Sequence, residues 1–150
     1  MRSRRAREPT ARYAVPRRVM VDSSVLIDVL DPDPVWFEWS AKRLAPLVDA
    51  GALVINPIVY AELVAGFTTL EALNAALDPY SLIRDPLPWE AAFLASQAFL
   101  LYRKRRGPKR SPLPDFYIGA HASLAGYALL TRDPAHYREY FPKLRLISPA

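Results

Sequence analysis

Arg18-Val19-Met20-Val21 runs into Asp22-Ser23-Ser24 and then into Val25-Leu26-Ile27-Asp28-Val29-Leu30, and the reading of this stretch decides the fold. The short apolar run reads as a buried strand that stops at Asp22. Beyond it, Val25, Leu26, Val29 and Leu30 recur at helical spacing. The same strand-to-helix alternation continues outward. Leu53-Val54-Ile55 is a second strand, followed by Asn56 as helix cap and Pro57 at a first-turn position, where a missing N–H costs nothing. Ser81-Leu82-Ile83, Ala128-Leu129-Leu130 and Leu144-Arg145-Leu146-Ile147 read as three further strands. Helices are expected over 35–50, 57–66, 69–77, 88–106, 115–126 and 134–140. Such alternation is the pattern of βαβ units with a parallel sheet.

A chain of 150 residues, 51% of them hydrophobic, suits one compact domain. It has no cysteine, which excludes disulfides and thiolate zinc sites and fits a reducing, cytoplasmic setting. With only two histidines, any metal must be held by oxygen ligands, as Mg²⁺ or Mn²⁺ would be. The net charge of +5 is misleading as a nucleic-acid signal. Residues 1–19 hold seven arginines and one glutamate, so the remainder is slightly acidic. Residues 1–18 read as a basic tail, either a flexible arm or sequence upstream of a start at Met20, and 19–150 as the folded domain. Neither a secretory leader nor an apolar run long enough to span a membrane is present in the sequence.

Asp22, Asp115 and Asp133 each sit at a strand end or a helix start. Taken singly, each has an ordinary explanation as a helix cap. Glu62 does not, because it lies past the first turn of a mostly apolar helix; there it is either on a solvated stripe or aimed at a ligand. In open parallel sheets ligands bind beyond the carboxyl ends of strands, where strand order reverses. Acids gathered there repel one another unless a divalent cation neutralises them.

Four segments carry these acids: 21–28 (VDSSVLID), 60–63 (YAEL), 113–122 (LPDFYIGAHA) and 129–133 (LLTRD), the four acids following one another at spacings of 40, 53 and 18 positions. Together they resemble the four motifs of PIN domains, and most nearly those of VapC-type toxins of bacterial toxin–antitoxin pairs, over about residues 19–148. The resemblance implies a three-layer α/β/α sandwich with a five-stranded parallel sheet in the order 3-2-1-4-5. It also implies an Mg²⁺- or Mn²⁺-dependent endoribonuclease acting on RNA, and an antitoxin partner that blocks the site. Carried over position by position, Asp22, Glu62, Asp115 and Asp133 match the family's metal-binding and catalytic acids. Ser23 and Thr131 match its supporting hydroxyls, although ordinary capping explains both nearly as well.

Six cations, Arg103, Lys104, Arg105, Arg106, Lys109 and Arg110, precede Asp115 and are the candidate contacts to an RNA backbone; a solvated helix end is the plain alternative. The helix over 88–106 is apolar on more than one face, which points to a homodimer contact. Asp28 is expected to be solvated, Asp31 and Asp33 to be turn residues, and His121 to face away from Asp115. Two rival functions remain. One is a non-catalytic PIN-fold RNA- or protein-binding module. The other is a phosphoryl-transfer protein with Asp22 as covalent acceptor, a chemistry that wants a lysine which no motif supplies.

Overall fold

The computed structural model describes residues 17–106 and 113–150, with only the backbone described at Arg106. Five parallel strands form one sheet: β1 (Val19–Val21), β2 (Leu53–Ile55), β3 (Ile83–Arg84), β4 (Ala128–Leu130) and β5 (Leu146–Ile147). Their order is β3-β2-β1-β4-β5. The chain steps outward from β1 to β3, then crosses back to place β4 against the other side of β1, with Met20 paired to both Val54 and Leu129. Strand order therefore reverses between β1 and β4, the order that the resemblance to PIN domains implies. All residues of β1, β2 and β4 are buried, which suits central strands covered by helices on both faces of a three-layer α/β/α sandwich.

Among the described residues, seven α-helices complete the layers: α1 (Ser23–Leu30), α2 (Phe37–Asp49), α3 (Pro57–Leu63), α4 (Leu70–Leu77), α5 (Trp89–Arg106), α6 (Leu113–Ala125) and α7 (Ala135–Tyr140). Met20, Leu26, Leu53, Ile55, Phe116, Ile118, Leu129, Leu130 and Tyr137 form the centre of the core. Among the described residues, no helix is long and apolar enough to cross a membrane.

The element boundaries depart from the sequence reading for local reasons. Helix α2 starts at Phe37 rather than Val35, because Asp33 Oδ2 accepts the N–H groups of Val35 and Trp36 and closes a turn there. Strand β3 slips to Ile83–Arg84, because Ser81 takes a left-handed φ of 52° at the end of a 3₁₀ turn. Strand β5 shortens because the Leu144 N–H is bonded back to Phe141. Helix α6 begins at Leu113, so Asp115 lies within its first turn and not at its start.

Candidate active site

Asp22 follows β1 in extended conformation at the N-cap position of α1, yet its side chain makes no helix-cap hydrogen bond. Its Oδ2 instead accepts hydrogen bonds from Thr131 Oγ1 at 2.7 Å, just past β4, and from Ser24 Oγ at 3.1 Å. The Thr131–Asp22 bond ties the ends of β1 and β4 together at the reversal point. Asp22 is only 4% exposed. Burial pushes its carboxyl above the usual range, the two hydroxyls oppose the rise, and the Asp133 charge adds to it.

Glu62 reaches the same place from α3. Ser23 Oγ donates to its Oε1 at 2.8 Å, so the hydroxyl beside Asp22 orients the glutamate across the cleft. Burial, opposed by Ser23 and reinforced by Asp22, pushes Glu62 up as well. Asp115 arrives from α6 and is raised to about 6, first by burial and then by the Asp22 charge, with Glu62 contributing further and His136 opposing. Three carboxylates from three elements thus act on one another. Asp133 stands at the rim, with its side chain 69% exposed and 3.4 Å from Arg132. Its capping explanation does not hold, because Pro134 occupies the N-cap of α7; the Asp133 N–H donates to Thr131 Oγ1 at 3.0 Å.

The helices that present Glu62 and Asp115 are braced to each other. Asn56 accepts the N–H groups of Ile58 and Val59 and so caps α3. Its amide lies 3.1 Å from Nδ1 of His121 on α6, and Nε2 of that ring lies 3.5 Å from Asp85. His121 is 1% exposed and faces away from the carboxylates, a packing histidine as expected. Burial pushes its pKa down, which suits a neutral ring accepting at Nδ1 and donating at Nε2.

Sequence reasoning missed two residues and misjudged a third. His136 on α7 places Nδ1 3.4 Å from Asp115 Oδ2 and rests edge-on against Tyr102 and Phe116. Its signal in the sequence was proximity, three residues after Asp133. Tyr137 is fully buried beside it, and the charges of Asp22, Asp115 and Glu62 all act on its hydroxyl. Asp28 is the misjudged residue: expected in solvent, it is 1% exposed. It accepts from Ser40 Oγ at 2.7 Å and from Arg132 Nε at 2.9 Å, and this cation, supplied by the loop after β4, makes its burial tolerable. Arg132 thereby anchors the loop that carries Thr131 and Asp133.

Of the basic cluster, Arg103, Lys104 and Arg105 are exposed at the end of α5. The Arg105–Glu139 ion pair at 3.2 Å and the Tyr102–His136 contact bring that end against α7, beside Asp115. The Arg106 side chain, Lys109 and Arg110 lie outside the described residues, as does the tail over 1–16.

The site offers carboxylate and hydroxyl oxygens, a set suited to a hard divalent cation, with the His136 ring beside Asp115. Among the described residues, no three acidic or histidine side chains are already drawn into one coordination shell. Burial and mutual charge push the Asp22, Glu62 and Asp115 carboxyls up together, and a divalent cation held among them would relieve that repulsion.

Strand order and carboxylate placement together define an α/β domain with an acidic cleft at the switch point of its sheet. The PIN domain family profile matches residues 19–141. The chain belongs to the PIN-domain family, whose members are generally nucleases. Solved structures share the fold. VapBC2 of Rickettsia felis, bound to a promoter DNA fragment, superposes with a TM-score of 0.64 at 19% identity, covering 87% of this chain and 97% of that one. DNA-bound VapBC of Salmonella typhimurium gives 0.63 at 21% identity, covering 88% and 98%. FitAcB of Neisseria gonorrhoeae gives 0.61 at 20%, covering 86% and 96%. A search of curated protein sequences returns no match.

Proposed function

We propose that this protein is an Mg²⁺- or Mn²⁺-dependent endoribonuclease and the toxin of a toxin–antitoxin pair, working in the cytoplasm. The observation that carries the reading is the convergence of Asp22, Glu62 and Asp115, from three separate elements, at the point where strand order reverses. Asp22 and Asp115 would be the principal ligands, with Glu62 and the rim acid Asp133 completing the set. When bound, the cation would activate a water and offset charge on the scissile phosphate. The chain's own hydroxyls do the orienting: Thr131 and Ser24 fix the Asp22 carboxylate, and Ser23 fixes Glu62. Arg103, Lys104 and Arg105 would hold the RNA backbone, together with Arg106, Lys109 and Arg110.

A structural neighbour from Klebsiella pneumoniae was solved as a toxin–antitoxin complex, and an antitoxin is the partner proposed here. A cleft of about 570 Å³ lined by Ile27, Leu30, Leu63, Phe67 and Glu62 suits an apolar segment that would also cover the site. A second copy of the chain is proposed on the outer face of α5, where Trp89, Phe93 and Leu100 are exposed.

The test is RNA cleavage by the purified chain with and without Mg²⁺ or Mn²⁺, beside an Asp22→Ala, Asp115→Ala double variant. Cation-dependent cleavage that the variant lacks is the expected result. Equal cleavage by both proteins removes these carboxylates from the site. Tight cation binding with no cleavage of any RNA favours the non-catalytic binding module instead.

A further inference from the structure

Tyr137 presents a physical problem that the carboxylates alone do not solve. Its side chain is fully buried, and its hydroxyl makes no well-formed hydrogen bond, although the Asp115 carboxylate lies near enough to act on it. Leaving a buried donor without a well-formed bond is costly, so a small movement of Asp115 that completes one is favourable. The position is also tightly built. A Cβ on Gly119 of α6 would lie 3.1 Å from the Tyr137 ring and 2.7 Å from Phe141, so α7 can approach α6 this closely only because residue 119 is glycine. Around the hydroxyl stand the charges of Asp22, Asp115 and Glu62, with Asp115 also touched by the neighbouring His136.

We propose that Tyr137 is a positioning residue for the carboxylate cluster, its hydroxyl donating a hydrogen bond to the Asp115 carboxylate when a divalent cation draws the acids together. This rests on the cation-site reading above and extends it to a residue outside the four acidic motifs. The donor reduces the repulsion among the gathered acids and fixes the rotation of Asp115 without occupying a ligand position. Such a role requires that the hydroxyl contribute little to the metal-free fold and much to the loaded one.

Tyr140 supplies an internal control. Its hydroxyl is also buried without a well-formed hydrogen bond, but the tyrosine sits in the aromatic cluster with Tyr102 and Phe116. The experiment is Mn²⁺ titration calorimetry on the full chain, with Tm measured in EDTA, for wild type, Tyr137→Phe and Tyr140→Phe. We expect Tyr137→Phe to keep or raise Tm in EDTA while its Mn²⁺ Kd weakens about 3- to 10-fold, the scale of one hydrogen bond. Tyr140→Phe should leave the Kd unchanged. An unaltered Kd in Tyr137→Phe overturns the inference. A fall of several degrees in its Tm in EDTA overturns it too, because the hydroxyl would then serve the metal-free fold. A wild-type chain that binds no Mn²⁺ overturns the cation reading itself, an outcome distinct from either.

Discussion

At the residue scale, Asp115 links the cleft to stability. Its carboxyl is raised from 3.8 to about 6 in the folded chain, so the folded state holds that proton more tightly than the unfolded state does. The resulting stabilisation is complete below about pH 3.8 and is lost as pH rises through about 6. Asp115→Asn, which cannot ionise, should therefore be more stable than wild type at pH 8 in EDTA, by on the order of 1 kcal/mol, with no advantage near pH 4. Scanning Tm from pH 4 to 8 in both proteins checks this, and parallel curves would show that Asp115 is not strained by its neighbours. Asp28 carries a different lesson at the same scale. Its place on the helical wheel suggested solvent, but Arg132 lies 104 residues away in the chain and only folding brings the two together. His136 and Tyr137 were overlooked for a related reason, since neither belongs to an acidic motif and their value depends on what α7 packs against.

Among the elements, the contact between α6 and α7 sets the geometry of the site. Gly119→Ala tests it directly. On an ordinary helix this change stabilises by roughly 1 kcal/mol. Here the new Cβ would lie 2.7 Å from two Phe141 ring atoms, and overpacking of that kind costs roughly 1–3 kcal/mol. The clash should win, lowering Tm by a few degrees and weakening Mn²⁺ binding as α7 shifts under Tyr137. A raised Tm would mean that the two helices are not held this closely. Local chemistry made much at this scale legible beforehand: the Asn56 cap, Pro57 at the helix start, and Gly51 in a left-handed conformation closing α2. Helix and strand ends slipped by two or three residues wherever a turn bond, such as that of Asp33 or Leu144, competed with the regular ladder.

For the molecule as a whole, α5 buries Ala91, Ala95, Ala98 and Tyr102 but leaves Trp89 89% and Phe93 68% exposed. If a second copy covers that face, Phe93→Glu should convert a dimer into a monomer in light scattering while Mn²⁺ affinity stays unchanged. A monomeric wild type would refute the dimer. The sequence by itself determined the strand–helix alternation of a parallel sheet and the positions of the four acids in the chain, because alternation and motif order survive without knowledge of contacts. Its resemblance to PIN domains implied the strand order. The tertiary structure decided which acids meet. It drew Asp22, Glu62 and Asp115 into one field and left Asp133 at the rim. It also buried Asp28 against Arg132 and set the Tyr137 hydroxyl among the carboxylates. These outcomes depend on distances between segments far apart in the chain, and burial and charge act through such distances in three dimensions, where local sequence pattern carries no record of them.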